Sequence, residues 1–142
     1  RNLNPRAFRD MIAFEDALIL PGLVNAHTHS VLSLTKGLLD DAPADDAAQE
    51  AEWLKLLARL DASHAYAGAL LSFSTMLRYG VTSVCDSLFL PDPDNALALR
   101  TIDAARDVGI RLALAKGMAD RPVPGLPPFR QNALQQLQAT QA

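Results

Sequence analysis

Three short runs of apolar and β-branched residues predict three strands along the chain. Residues 23–26 follow the turn signal Pro21-Gly22 and form an apolar run that is typical of a buried strand. Residues 81–85 are rich in β-branched side chains, which favour extended backbone. Residues 110–115 form the third apolar run. The segments that separate these runs are long enough to hold helices.

The segment between the first two apolar runs has apolar residues at helical intervals, which predict two helices. Residues 40–46 are polar and acidic with one proline, which is typical of a loop. Residues 47–59 then predict an amphipathic helix. The apolar positions that recur at helical intervals there are Trp53, Leu54, Leu57 and Leu60. A second helix is predicted up to Tyr79, with Asp61 as its cap, because a carboxylate can accept hydrogen bonds from free first-turn amides. Its apolar stripe consists of Ala65, Ala69, Phe73, Met76 and Leu77.

A third helix is predicted over residues 95–108, with Asp94 as its cap. Gly80 and Gly109 are expected to end the second and third helices, since glycine adopts a left-handed backbone at little cost. Residues 117–128 are rich in proline and glycine and predict a loop, and residues 129–142 resemble the opening of a further helix.

The order of these elements indicates an α/β fold. Strands that alternate with helices across short turns are usually parallel and joined by right-handed crossovers. At this level the pattern fits both the opening of a (β/α)8 barrel and an open, doubly wound sheet. A complete barrel needs about 250 residues, so a chain of 142 residues is expected to be a piece of a longer protein.

Composition excludes several classes of partner. The formal net charge is -3 and the pI is near 5.5, which argues against a nucleic-acid partner. The single cysteine, Cys85, rules out an internal disulfide framework and fits a reducing, cytoplasmic setting. No apolar run approaches the roughly 18 residues that a membrane-spanning helix requires.

The candidate functional residues lie at the end of the first predicted strand, in the sequence His27-Thr28-His29. Side chains two residues apart on a strand point the same way, so His27 and His29 should project together, with Asn25 behind them on the same face. Two neutral imidazoles are half of the ligand set of a divalent transition metal. The alternative is a pair of polar residues at a strand end, each hydrogen-bonded to a neighbour.

Three stretches resemble the amidohydrolase superfamily, in its chlorohydrolase and aminohydrolase (deaminase-like) branch. They are PGLVNAHTHS with the following LTKGLLDD, then MLRYGVTSVCDS at residues 76–87, and AARDVGIRLALAKGM at residues 104–118. The resemblance covers about residues 17–120. It implies a (β/α)8 barrel that is incomplete in this chain. Residues 1–16 would then be the tail of a flanking β-sandwich or a linker, and residues 17–142 the N-terminal part of the barrel.

The resemblance also implies a reaction and a cofactor. One divalent metal, zinc or iron, would be held by His27 and His29. The remaining ligands and the proton-transfer residues would follow later strands that this chain does not contain. The implied activity is hydrolytic deamination of an aminated N-heterocycle, a small-molecule substrate, by a metal-activated water. Whether the protein forms a homo-oligomer is left open.

Two further residues are candidates for substrate binding. Lys36-Gly37 stands where this branch of the superfamily often shows Arg-Gly, so Lys36 could reach the substrate; the alternative is that Lys36 is a solvated loop residue. Trp53 could line the mouth of a pocket, or it could simply pack a helix against the core.

Four other polar or reactive side chains carry weaker hypotheses. Asp86 and Lys116 end the second and third strands, where a parallel barrel places its catalytic face. For Asp86, capping of the loop that follows it is favoured over ligand binding. His64 is expected to lie at the surface of a helix start, and Cys85 is expected to be a small buried apolar residue.

Two other functions remain open from the sequence. One is a cyclic amidase of the dihydroorotase or hydantoinase kind, which usually carries two metals bridged by a carboxylated lysine. Asn25 stands at or beside the place where those enzymes tend to show an aspartate, which favours the deaminase branch. The other is a metal-free barrel relative, or a fragment without activity of its own.

Overall fold

The computed structural model describes residues 12–38, 40, 46–90, 92–117 and 137–138. Three strands are present: β1 (Leu23–Thr28), β2 (Val81–Leu88) and β3 (Arg111–Lys116). A 3-10 helix (Ser30–Thr35) follows β1 directly. The α-helices are α1 (Asp46–Leu57), α2 (Ala62–Arg78) and α3 (Ala96–Val108). Residues 1–11 of the expected sandwich tail or linker (residues 1–16) lie outside the described residues, as does most of the loop and helix predicted from Gly117 onward.

The strands form one parallel sheet in the order β1-β2-β3. The register of β2 and β3 is regular from Ser83 opposite Arg111 to Leu88 opposite Lys116. The register of β1 and β2 shifts between Asn25 and Thr28, where β1 carries one extra residue. Parallel neighbours joined by helices confirm the predicted fold class.

The helices α2 and α3 pack together against one face of the sheet. Phe73 of α2 is fully buried and clusters with Val84 of β2. The rest of this cluster is Ala69, Ala104, Ala105 and Ile110. A second cluster lies toward the carboxyl ends of the strands, where Val31 of the 3-10 helix meets Leu57, Ala65, Leu88, Leu90, Leu97 and Ala98. The second cluster supports the loops in which the candidate site lies.

The predicted ends of α2 are confirmed. Asp61 Oδ1 accepts hydrogen bonds from the amides of Ser63 and His64, at 2.8 and 3.0 Å. Gly80 has a φ of 83°, and Gly109 after α3 has a φ of 80°. Both values lie in the left-handed region that glycine adopts without strain.

The predicted cap of α3 is wrong. Asp94 accepts only from Ala96 N, at 3.2 Å, and it is exposed. The buried carboxylate of Asp92 accepts instead from Leu97 N and Ala98 N, both at 2.9 Å. Asp92 is the better cap because both of its oxygens face the free first-turn amides away from water.

The prediction that β1 is buried is also wrong for the described part of the chain. Leu23 is 56% exposed and Val24 is 71% exposed. In the described residues β1 pairs with β2 alone, so its other edge has no neighbouring strand there. None of the helices in the described ranges has the length and apolar character needed to cross a membrane.

Candidate metal centre

His27 and His29 lie side by side where β1 gives way to the 3-10 helix. Their ring centroids are 4.8 Å apart and the ring planes are nearly perpendicular, at 86°. His27 is exposed, whereas His29 is half-buried. The structure therefore brings the two imidazoles together, and their role as metal ligands stays a prediction.

The proton of His29 can be assigned from its neighbour. Its Nδ1 lies 2.6 Å from the carbonyl oxygen of Ser87, at the end of β2. A carbonyl oxygen only accepts, so Nδ1 must carry the hydrogen and donate it. In the neutral imidazole the other ring nitrogen, Nε2, then has its lone pair free. A ligating imidazole is commonly oriented in this way, through a hydrogen bond from its second nitrogen.

The spacing of the two rings fits a shared metal ion. With metal–nitrogen bonds of about 2.0–2.1 Å and a tetrahedral angle, two imidazoles on one zinc have ring centres roughly 5 Å apart. The centroids of His27 and His29 are 4.8 Å apart. Among the described residues no group of three His, Cys, Asp or Glu side chains could hold a metal. The described part of the chain therefore offers two candidate ligands, His27 and His29, of the larger set that a metal site needs.

A buried carboxylate supports the chain directly after His29. Asp86 of β2 is only 2% exposed. Its Oδ1 accepts from Ser30 N at 2.8 Å, and its Oδ2 accepts from the Ser30 hydroxyl. Burial raises the pKa of the Asp86 carboxyl, while the Ser30 hydrogen bonds and the charges of His29 and His27 act in the opposite direction. Asp86 therefore bonds the turn after β1, whereas the prediction placed its cap on the loop that follows its own strand.

Asp86 and Lys116 lie, as expected, at the same rim of the sheet as the histidines, because Asp86 pairs with Thr28, and Lys116 pairs with Leu88 at the end of β2. Their side chains, however, point toward the helix layer. Asp86 shares its face of β2 with Val84 and Leu88, which pack against the helices. The Lys116 ammonium donates to the carbonyl oxygen of Asp92 and to Asn95 Oδ1. Its distance to the Asp92 carboxylate is 3.8 Å. Both side chains therefore hold loops in place, because their strand faces point toward the helix layer.

Phe89 is a neighbour of the site that sequence reasoning missed. It follows β2, and its ring meets His29 edge-on, with centroids 4.9 Å apart. The ring of Trp53 lies 6.2 Å from that of Phe89. Trp53 is half-buried and packs on the cluster around Val31, so it is both a core residue and a near neighbour of the site. The only signal for Phe89 was its position just after a predicted strand.

Lys36 lies near His29 on a different surface from Phe89 and Trp53. Both residues line a cleft of about 350 Å³ between the 3-10 helix and α2. The other lining residues are Thr28, Leu32, Ser33, Leu71, Ser72, Thr75 and Met76. The Lys36 side chain is exposed. A contact with substrate stays a prediction for both Lys36 and Trp53.

Three remaining expectations have clear outcomes. His64 is exposed at the start of α2, with its Nδ1 2.7 Å from Asp61 Oδ1, so its surface role is confirmed. Cys85 is half-buried rather than buried. Asn25 lies next to the histidines, since its Oδ1 accepts from His27 N at 3.2 Å and its side-chain nitrogen lies 3.8 Å from the sulfur of Met76, which lines the same cleft as His29. The extra residue in β1 breaks the simple alternation of faces between Asn25 and Thr28.

Comparison with known proteins decides the family. The model of the amidohydrolase family matches residues 18–141. The chain belongs to the amidohydrolase family. Among relatives, a 5'-deoxyadenosine deaminase of Methanothermobacter thermautotrophicus is 38% identical over 103 residues, covering 72% of this chain and 22% of that protein. A 5-methylthioadenosine/S-adenosylhomocysteine deaminase of Caldanaerobacter subterraneus subsp. tengcongensis is 34% identical over 110 residues, covering 78% and 24%.

A solved structure supports the same assignment. The crystal structure of an adenosine deaminase from Xanthomonas campestris with bound zinc matches with a TM-score of 0.62 and 26% identity. The match covers 85% of this chain and 25% of that one. The family resemblance and the incomplete barrel are therefore confirmed. This amidohydrolase chain spans about a quarter of the length of these relatives.

Proposed function

We propose that this amidohydrolase chain is the opening part of a metal-dependent deaminase that acts on an aminated N-heterocycle. The observation that carries the proposal is the paired imidazoles of His27 and His29, with His29 Nδ1 hydrogen-bonded to Ser87 O. The deaminases of adenosine-type nucleosides among its relatives support a purine nucleoside as the substrate class.

Each residue near the site would have a defined task. His27 and His29 hold one divalent ion, and Ser87 keeps the His29 ring in the tautomer that leaves Nε2 free. When bound, such an ion supplies Lewis-acid activation of a water molecule. Phe89 and Trp53 present apolar ring surface beside His29, which would exclude bulk water and suit a flat heterocycle. Lys36 would contact the substrate from the edge of the cleft.

Several finer assignments belong to the same proposal. Zinc is favoured over iron because the adenosine deaminase that resembles this chain carries zinc. Residues 17–142 would form barrel, and residues 1–16 would be a linker or the end of a flanking β-sandwich. A cytoplasmic location and the oligomeric state stay predictions.

The histidine assignment is tested in the complete protein. His27→Ala and His29→Ala should each abolish metal retention and activity together, because losing one of few ligands removes affinity and water activation at once. Metal per subunit is measured by elemental analysis after dialysis. Activity is measured as ammonia release from 5'-deoxyadenosine, 5'-methylthioadenosine, aminopyrimidines and aminotriazines.

Lys36→Ala is the matched control, because Lys36 lines the same cleft as His29 without belonging to the proposed ligand set. This variant should keep its metal and at most raise KM, since a contact made equally to substrate and transition state affects KM alone. A double histidine variant that still retains stoichiometric metal would refute the assignment. Two metals per subunit with opening of hydantoins instead of deamination would place the protein among the cyclic amidases.

A further inference from the structure

The turn after His29 is held in place by the side chain of Asp86, which has no direct part in the proposed reaction. The backbone bends at His29, with a φ of -124° and a ψ of 83°, and enters the 3-10 helix at Ser30. Both Ser30 and Val31 are only 2% exposed. The direction in which the His29 ring leaves the backbone therefore depends on where Ser30 is fixed.

Asp86 fixes Ser30 through both of its carboxylate oxygens. One oxygen accepts the Ser30 amide at 2.8 Å and the other accepts the Ser30 hydroxyl. Asp86 pairs in register with Thr28 across the sheet, so it reaches over the end of β1 from the adjacent strand. Charge-assisted hydrogen bonds in a buried setting are among the stronger ones. They anchor Ser30 to β2.

The next residue of β2 holds the His29 ring itself. The Ser87 carbonyl accepts from His29 Nδ1 at 2.6 Å. Asp86 and Ser87 are adjacent in sequence, so one stretch of β2 controls both the backbone after His29 and the orientation of its ring. If Ser30 moved, the His29 backbone would move with it and the Nδ1 contact would lengthen.

We propose that Asp86 is a positioning residue for the metal site, which fixes His29 through Ser30 without touching the metal or the substrate. The proposal rests on the proposed function, because it assumes that His29 binds the metal. Partners that orient metal ligands typically change metal affinity by about 10- to 100-fold when they are removed. We expect a loss of that size for Asp86→Ala.

The molecule contains a matched control for this variant. Asp92 is 1% exposed and caps α3 through both of its oxygens, as Asp86 caps the 3-10 helix. Its charged neighbour is Lys116, and its carboxylate accepts from Leu97 N and Ala98 N of α3 rather than from the turn after His29. Asp92→Ala should therefore lower the thermal stability of the metal-free protein while leaving metal affinity unchanged.

The test measures zinc affinity of the complete protein by competition with a chromophoric chelator, alongside thermal unfolding of the metal-free forms. The absorption spectrum of the cobalt-substituted protein gives a second readout, because it reports the geometry of the ligands. Asp86→Ala should weaken zinc binding by about 10- to 100-fold and alter the cobalt spectrum. Ser30→Ala keeps the hydrogen bond from the backbone amide of residue 30 to Asp86. This variant should therefore lose less zinc affinity than Asp86→Ala. Asp86→Asn should recover most of it, because an amide can still accept from Ser30 N and can donate to the Ser30 hydroxyl.

The outcomes separate this inference from the proposed function. Wild-type affinity in Asp86→Ala, with metal lost in His27→Ala and His29→Ala, would overturn the positioning role alone. A wild-type protein that binds no metal, or histidine variants that keep it, would overturn the proposed function. An equal loss of affinity in Asp92→Ala would also overturn the positioning role, because it would show a general effect of stability. If Asp86→Ala does not fold, Ser30→Ala and Asp86→Asn decide the question.

Discussion

At the scale of single residues, His29 has a contact on each of three sides. The Ser87 carbonyl accepts from its Nδ1, the Phe89 ring meets its edge, and Ser30 follows it on the anchored turn. The sequence predicts the pairing of His27 with His29, because the two are close along one strand. It does not predict the partners of His29, since Ser87 lies 58 residues further along the chain.

Asp61 gives a prediction about pH. Hydrogen bonds from the Ser63 hydroxyl and from the amide and ring of His64 hold the pKa of this carboxyl far below its usual range. A folded pKa below the unfolded value of about 3.9 adds stability that is present above that value and is lost as pH falls toward the folded pKa. Asp61→Asn should therefore lower the Tm of the metal-free protein at neutral pH. The difference in Tm between the variant and the wild-type protein should become smaller as the pH is lowered from 5 to 3. A difference that stays constant over that range would contradict the ionic contribution.

At the scale of elements, the 3-10 helix is the part that joins the site to the core. Asp86 holds its first residue from β2, and α2 supports its other side. The Ser33 hydroxyl donates to the carbonyl oxygen of Gly68 at 2.7 Å, and Val31 packs directly over Gly68. A Cβ at Gly68 would lie 2.9 Å from Val31 Cα and 3.0 Å from its carbonyl oxygen.

Gly68→Ala should therefore destabilise the complete protein although alanine is the better helix former. The propensity gain is about 1 kcal/mol, whereas forcing backbone apart in a packed interior costs about 1–3 kcal/mol. The displaced 3-10 helix should also weaken metal binding through Ser30 and His29. The measurements are Tm and zinc affinity. Ser74→Ala, at an exposed position of α2, is the control and should change neither appreciably. A Gly68→Ala protein with raised Tm and unchanged affinity would show that the contact is not tight.

The helices also show which features a sequence can predict. Asp61 caps α2 as expected, because its acceptor reaches amides two and three residues away. The first-turn amides of α3 donate instead to Asp92, whose backbone carbonyl accepts from Lys116 of β3, 24 residues further on. The 3-10 helix was not predicted either, because it forms where Asp86 and Gly68 bind it rather than by its own periodicity. The sequence therefore predicts the elements and their parallel order, whereas the specific side-chain contacts that join distant segments are seen only in the structure.

At the scale of the whole molecule, the described sheet has one well-covered face and one exposed edge. The segment that enters β1 and the start of the strand present large apolar side chains to solvent. They are Leu18 (82% exposed), Ile19 (76%), Leu20 (65%), Leu23 (56%) and Val24 (71%). Contiguous exposed apolar surface of this kind marks a place where another part of a fold or another chain binds. In relatives more than three times as long as this chain, further barrel strands can cover it.

The 142-residue chain on its own should therefore associate rather than remain a stable monomer. An exposed parallel strand edge with apolar side chains is a template for pairing between copies. Light scattering and binding of a hydrophobic dye should rise with concentration, and heating should give no cooperative transition. Replacing Leu23 and Val24 with lysine should reduce this association, since charge on an edge strand opposes pairing. The same double change in the complete protein should lower Tm, because those positions would then be buried. The prediction is contradicted if the isolated chain is a soluble monomer that unfolds cooperatively. It is also contradicted if the two lysine substitutions leave the Tm of the complete protein unchanged. Either result would show that no other segment needs to cover β1.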